Sequence, residues 1–268
     1  VNYKSGFVAL CVLLCVFPLS AAVTVRGGLT YEHTLAPGQT AEGVFELFNT
    51  DAEAQEVKLY QTDYFFYADG RVLYSDPGLL ERSNARWISL TPPTVVIPPR
   101  ESVKVRYTVQ MPQDNTLEGS YWSMIMVEGV AHDSPESTQG GEGMIGLGVR
   151  QVFRYGIQVI TNVGNTGAPK IRFASSRLVK GENARDLVLD LENTGTRWIR
   201  AAVTAELYDS SGSSVGKFEA DPLRLYPGTS GRFKIDLSSV PNRTYKAFIL
   251  VDGGGSELFG ANITLVIE

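Results

Sequence analysis

Tyr121-Trp122-Ser123-Met124-Ile125-Met126-Val127-Glu128 is apolar on both faces when read at the two-residue period of a strand. Val149-Arg150-Gln151-Val152-Phe153-Arg154-Tyr155-Gly156-Ile157-Gln158-Val159-Ile160-Thr161 reads differently. Its odd positions from Val149 to Val159, Gln151 apart, carry large apolar residues, and its even positions mix Arg, Gln, Gly, Val and Ile. The odd face is therefore expected in a core, as is the face of Tyr121, Ser123, Ile125 and Val127. If the two runs pair, Trp122, Met124, Met126, Val152 and Ile160 share the opposite face. An apolar strand face is either covered within the molecule or offered to a partner. Either residues 129–148 or a second domain would cover it; left bare, its methionines would suit varied partners. Residues 129–148 are rich in Gly, with Ser134-Pro135-Glu136-Ser137-Thr138-Gln139-Gly140-Gly141 at their centre, and read as a mobile loop.

Outward from this pair, the chain keeps the same grammar. Runs rich in Val, Ile, Leu, Tyr, Phe and Thr recur at residues 43–49, 56–62, 103–109, 186–191, 199–208, 231–237, 245–251 and 261–267. Turn signals separate them: Ala36-Pro37-Gly38, Asp69-Gly70, Asn193-Thr194-Gly195, Ser211-Gly212 and Pro227-Gly228. Residues 64–67, Tyr-Phe-Phe-Tyr, read as a strand packed on both faces, and Trp87 and Trp198 as core or rim aromatics. No helical period runs through residues 23–268, so the expected class is all-β, built as sandwiches.

The order of features also repeats. Phe48-Asn49-Thr50 ends one strand as Glu192-Asn193-Thr194 ends another. Ile97-Pro98-Pro99-Arg100 then precedes a strand, as Leu225-Tyr226-Pro227-Gly228 does later. Gly119-Ser120-Tyr121 and Arg243-Thr244-Tyr245 each lead a further one. Two sandwiches of one plan explain this succession. The boundary is expected in the Gly- and Asn-rich segment before Pro169, giving domains of residues 23–164 and 165–268.

Residues 1–22 read as a secretory signal peptide. Lys4 supplies the charge, residues 7–17 are an unbroken apolar run, and Ser20-Ala21-Ala22 fits a cleavage site. The run is too short for a membrane span. Both cysteines, Cys11 and Cys15, lie inside it, so the remaining chain has none and uses no disulfide. Periplasmic or secreted localisation follows, with no stable membrane insertion after cleavage. With 24 Lys and Arg against 29 Asp and Glu, the formal charge is −5, which gives no reason to expect nucleic acid. Two histidines and no cysteine beyond the leader leave almost no material for a catalytic triad or a Cys-ligated zinc site. The expected protein is not an enzyme and uses no metal or other cofactor. Asn242-Arg243-Thr244 and Asn262-Ile263-Thr264 match the glycosylation sequon, which matters only in a eukaryotic host.

The order of features in residues 23–161 resembles the N-terminal domain of periplasmic pilus chaperones of the chaperone–usher pathway. The residues that carry this are Phe48-Asn49-Thr50, Pro92-Pro93, Ile97-Pro98-Pro99 before a Val-x-Val-x-Tyr strand, Gly119-Ser120-Tyr121-Trp122-Ser123, and the strand ending Tyr155-Gly156-Ile157-Gln158-Val159-Ile160. Residues 165–268 resemble a generic Ig-like module and the sandwiches of bacterial surface proteins. The resemblance implies two Ig-like β-sandwich domains in tandem. It also implies capture of a pilus-type or surface-fibre-type protein subunit by strand addition along the last strand of the first domain. Two basic residues would hold the subunit's terminal carboxylate: Arg26 as the first, and Arg154, or else Arg150, as the second. The family usually has Lys at that second place, and long-loop members often carry a disulfide that this chain lacks. Arg26 and Arg154 also read as ordinary solvated edge charges. The alternative to a chaperone is an exported structural or cell-surface protein of envelope assembly or adhesion, with its edges permanently covered.

Overall fold

The computed structural model describes residues 22–130, 152–181 and 184–268. Residues 1–21 of the expected signal peptide, most of the 129–148 segment, Val149, Arg150 and Gln151 lie outside these residues. No helix among the described residues is long and apolar enough to cross a membrane.

Ten strands build the first unit: β1 (Val23–Arg26), β2 (Thr30–Leu35), β3 (Thr40–Asn49), β4 (Gln55–Phe66), β5 (Val72–Ser75), β6 (Ile88–Leu90), β7 (Thr94–Ile97), β8 (Ser102–Gln110), β9 (Gly119–Gly129) and β10 (Arg154–Val163). They form a four-stranded sheet in the order β1-β3-β8-β6 and a six-stranded sheet in the order β2-β10-β9-β4-β5, with β7 also on β4. The two sheets enclose one core that includes Phe45, Leu47, Ile97, Tyr107, Ile125, Val127, Ile157 and Val159. In the second unit β11 (Ile171–Lys180), β12 (Arg185–Asn193) and β16 (Ser230–Asp236) make a three-stranded sheet. Facing it are β13 (Ile199–Tyr208), β14 (Ser214–Glu219), β15 (Leu223–Leu225), β17 (Thr244–Asp252) and β18 (Leu258–Val266). A separate core of Leu, Ile, Val, Ala, Phe and Tyr side chains fills that sandwich. The protein is thus all-β with two sandwiches, and period-2 burial, as in β13, ties the pattern to the layers.

The repeated Asn-Thr steps do the same work in both units. Asn49 and Asn193 are fully buried at the ends of β3 and β12. The Asn49 amide donates to the carbonyls of Glu53 (2.7 Å), Ile97 (3.0 Å) and Pro98 (3.1 Å), and its oxygen accepts from the Asp51 N–H at 2.8 Å. The Asn193 amide donates to the carbonyls of Arg197 (2.8 Å) and Leu225 (3.1 Å), and its oxygen accepts from the N–H groups of Gly195 and Lys170. In each unit one side chain thus satisfies the orphan backbone of two loops. The following residue ties the preceding segment: Thr50 N–H donates to the Ala22 carbonyl, and Thr194 N–H to that of Lys170. The Pro turns match as well, with Arg100 at φ 59 and Gly228 at φ 79 in the left-handed region.

On β12, Asp190 accepts from Arg232 Nε at 2.7 Å and Nη2 at 3.0 Å, from Arg177 at 3.1 Å and from Ser175 at 2.9 Å. The Arg232 guanidinium is the main cause that draws this carboxyl down to about 2; burial opposes it, and Arg177 and Ser175 add to it.

Asn193→Ala strands buried backbone groups of two loops, so it is expected to lower the unfolding free energy by roughly 2–4 kcal/mol in urea titration. Asp190→Asn is expected to cost roughly 1–2 kcal/mol at pH 7. Because the folded value lies below the ordinary one, the wild-type advantage is complete above about pH 4 and is lost as pH falls through about 2. Urea midpoints of both proteins across that range check this, and a gap that persists unchanged at pH 2 would refute it.

Candidate functional site

The odd positions of β10 point inward. Ile157, Val159 and Val163 are buried in the core, and Phe153 and Tyr155 pack against it. From β9, Tyr121, Ile125 and Val127 join them, with Ser123 fully buried alongside. Ser123 Oγ donates to Asn84 Oδ1 at 2.6 Å, and the Asn84 amide reaches the Val159 carbonyl and Thr161 Oγ1 at 3.0 Å each. This buried network fixes the register between β9 and β10 from inside.

The opposite face does not stay free. Trp122 (3 % exposed), Met124 (8 %) and Ile160 (0 %) lie in one buried cluster with Tyr64 of β4 and Tyr226 of the second sandwich, with Phe65, Phe66 and Trp198 packed against it. Tyr226, from the turn before β16, stacks on Trp122 with ring centroids 4.8 Å apart and an interplanar angle of 12°. Its hydroxyl donates to Gln158 Oε1 at 2.9 Å, and burial pushes both the Tyr226 and Tyr64 phenols upward. Trp122 Nε1 donates to the Tyr64 carbonyl at 3.0 Å, so the indole is satisfied as well as packed. Trp198 Nε1 donates to Glu32 Oε1 at 3.1 Å, beside the Asn162 amide at 2.5 Å. Backbone joins backbone at Ser120 N–H to the Thr196 carbonyl, 2.8 Å. Gly119 allows this approach: its φ is 74, and a Cβ there would lie 1.8 Å from the Thr196 oxygen. The expected docking face is therefore an interdomain interface at Trp122, Met124 and Ile160. Met126 remains partly buried beside it, and Val152 is 46 % exposed.

Neither candidate anchor arginine is unpaired. Arg26 lies over the Phe48 ring at 3.6 Å and donates to Glu46 (3.3 Å) and Ser102 (3.1 Å) on the four-stranded sheet. Arg154 is on the six-stranded sheet and pairs with Glu128, directly opposite on β9, at 2.7 Å. The Tyr60 hydroxyl, first, and Arg154 together hold the Glu128 carboxyl below its ordinary value. The two arginines sit on different sheets, each engaged by its own carboxylate.

What the sheet does leave open is an edge. β10 pairs with β9 over residues 154–163, but with β2, in parallel, only from Gln158 to Val163. Gly129 N–H donates to the Phe153 carbonyl, so odd residues of β10 bond toward β9. The even ones turn outward, and Gln158 N–H meets the Leu29 carbonyl at 2.8 Å. Beyond that point, among the described residues, no strand pairs the outward N–H and C=O groups of Arg154 and Gly156. The Met124 side chain packs over Gly156, where a Cβ would lie 2.1 Å from its Sδ.

The two-residue period of β9 and β10 puts Trp122, Met124 and Ile160 on one face, but no local signal in the sequence marks Tyr226, Glu32, Gln158 and Asn162 as the residues that cover it and seam its rim. Tyr226 reads as part of a Pro-Gly turn, and nothing local marks it as a stacking partner.

No protein-family model and no curated protein matches the chain. Solved structures similar to it include a chaperone–tip adhesin complex of CFA/I fimbriae, at 14 % identity and TM-score 0.49, over 92 % of this chain and all of that one. They also include the CsuC–CsuE chaperone–tip subunit complex of Acinetobacter baumannii, at 15 % and 0.46, over 91 % and 98 %. The E. coli chaperone DraB is a third, at 14 % and 0.44, over 89 % and 95 %. Pilus chaperones thus recur among the structures this chain is similar to.

Met124→Asp inserts a charge beneath the second sandwich, whereas Val152→Asp stays in solvent. The first is expected to lower the urea midpoint and raise exposure of Trp122 to a fluorescence quencher, and the second to change neither. Equal effects from the two would contradict the interface.

Proposed function

We propose that the chain is an exported, chaperone-like binding protein that captures a pilus-type or surface-fibre-type subunit by β-strand addition along residues 152–157. The observation that carries this reading is the half-covered edge of β10: β2 pairs it from Gln158 onward and stops. An incoming strand continues the line of β2, meeting the outward backbone groups of Gly156 and Arg154 and ending against Leu29, whose carbonyl already holds Gln158. The neighbouring side chains suit an edge contact. Val152 is exposed, Met126 lies directly opposite Gly156, and Arg154 fronts the edge with its charge balanced by Glu128. The buried Trp122, Met124 and Ile160 serve indirectly, holding the sheet against the second sandwich. In this reading the protein works in the periplasm or outside the cell, and carries out no catalysis.

The proposal is tested by hydrogen exchange on the protein and on the complex it forms in its native envelope. The amides of Arg154 and Gly156 are expected to exchange fast in the free protein and to slow by at least tenfold in the complex, while those of Tyr155 and Ile157 are protected in both. Val152→Asp is expected to weaken the complex without shifting the urea midpoint. A complex that leaves the Arg154 and Gly156 amides unprotected places the partner elsewhere. Arg26→Ala and Arg154→Ala separate out the carboxylate anchor: if neither weakens binding of the partner's C-terminus, that role is wrong.

A further inference from the structure

The second sandwich has an edge of another kind. Most terminal strands of the four sheets are guarded in ways that discourage pairing. β1 and β6 are short, and β1 carries Arg26; β2 carries Glu32 and His33. β5 has four residues. β11 bears Arg172, Arg177 and Lys180, with its register broken between Phe173 and Ser175. β14 has a shift opposite Leu207/Tyr208 and carries Lys217 and Glu219, and β16 carries Arg232, Lys234 and Asp236. β18 has none of these. Leu258-Phe259-Gly260-Ala261-Asn262-Ile263-Thr264-Leu265-Val266 contains no charge and no proline, and it pairs with β17 along its whole length without a shift.

Its open side is also regular. Gly253 N–H donates to the Glu257 carbonyl and Ile267 N–H to that of Arg243, so the odd residues bond toward β17. The backbone groups of Leu258, Gly260, Asn262, Thr264 and Val266 then face outward, and no strand pairs them among the described residues. These five residues are exposed, Leu258 at 58 % and Val266 at 56 %.

That row is complementary to itself. Antiparallel pairing with a second β18 about Asn262 brings all five outward residues into hydrogen-bonded pairs. Asn262 faces Asn262, Gly260 faces Thr264, and the exposed Leu258 faces the exposed Val266 at each end. The absence of charge means that two acidic chains meet here without like charges opposed across the strands. We propose that β18 is a homodimerisation edge, joining two copies of this chain about a two-fold axis through Asn262 into one continuous sheet. This lies in the other sandwich from β10 and does not depend on what β10 binds.

One strand pair is smaller than a standard interface, so the dimer is expected to be weak, forming between roughly 5 and 500 µM in sedimentation velocity. Over that range the wild-type protein is expected to pass from one to two copies. Asn262→Lys and Asn262→Asp each set like charges against one another at the axis, and each alone is expected to stay monomeric with an unchanged urea midpoint. Mixing the two variants opposes Lys with Asp and is expected to restore the twofold mass. A wild-type protein that remains monomeric at the highest concentration overturns the proposal. So does association that survives both single variants, or a mixture that fails to recover the dimer.

Discussion

A strand at the rim of a sheet carries backbone N–H and C=O groups that need partners, and the shape of the first sandwich follows from how β10 is supplied with them. One side is met by β9 along the whole strand. The other is met by the N-terminal segment, which serves both sheets in turn. β1 pairs with β3 on the four-stranded sheet, the chain then crosses at Gly27 with φ 94, and β2 lies parallel to β10 on the six-stranded sheet. A single segment thus clasps the two layers together. Because β2 begins only at Thr30, it covers β10 from Gln158 onward and leaves the earlier residues open. The extent of the free edge is therefore set by where the chain changes sheets, not by any property of β10 itself.

The same strand pair explains why β9 is apolar on both faces. Its inner side chains belong to the core of the first sandwich and its outer ones to the contact with the second. The two-sided apolar pattern was plain in the sequence, and so was the choice it posed between a cover and a partner. The answer was not legible, because the covering residue sits in a turn. Tyr226-Pro227-Gly228-Thr229 has the chemistry of a type II turn, and the structure uses it as one, with Thr229 N–H donating to the Tyr226 carbonyl. The same geometry projects Tyr226 onto Trp122, and only the arrangement of the two domains makes that meeting possible.

Asn49 and Asn193 mark the opposite case, where a short repeat in the sequence carried its physical meaning with it. A small amide at a strand end has both donor and acceptor, and it closes the loops that a two-sheet fold cannot avoid. The two sites bond to equivalent carbonyls, Ile97 and Leu225, so similarity of residues reflects similarity of work. Arg26 and Arg154 show why charges are harder to read. Each is balanced by a glutamate directly across a strand pair, Glu46 and Glu128, and those partners emerge only once the register is known. A slip of one residue would turn either pair to opposite faces, so no inspection of the arginines alone identifies their acids.

Covering the outer face of β9 has a consequence for recognition. Side-chain pockets of the kind expected from Trp122, Met124 and Ile160 are filled by the chain's own Tyr226 and its neighbours. A strand seated at residues 154–157 would therefore meet mainly backbone groups, with Val152 and Met126 as the adjacent apolar contacts. Backbone hydrogen bonding is nearly indifferent to sequence, so affinity and discrimination would have different origins. The edge would supply the first. The second would come from where the incoming strand must stop, against Leu29 and the Gln158–Tyr226 hydrogen bond, and from whether its length fits the space that β2 leaves.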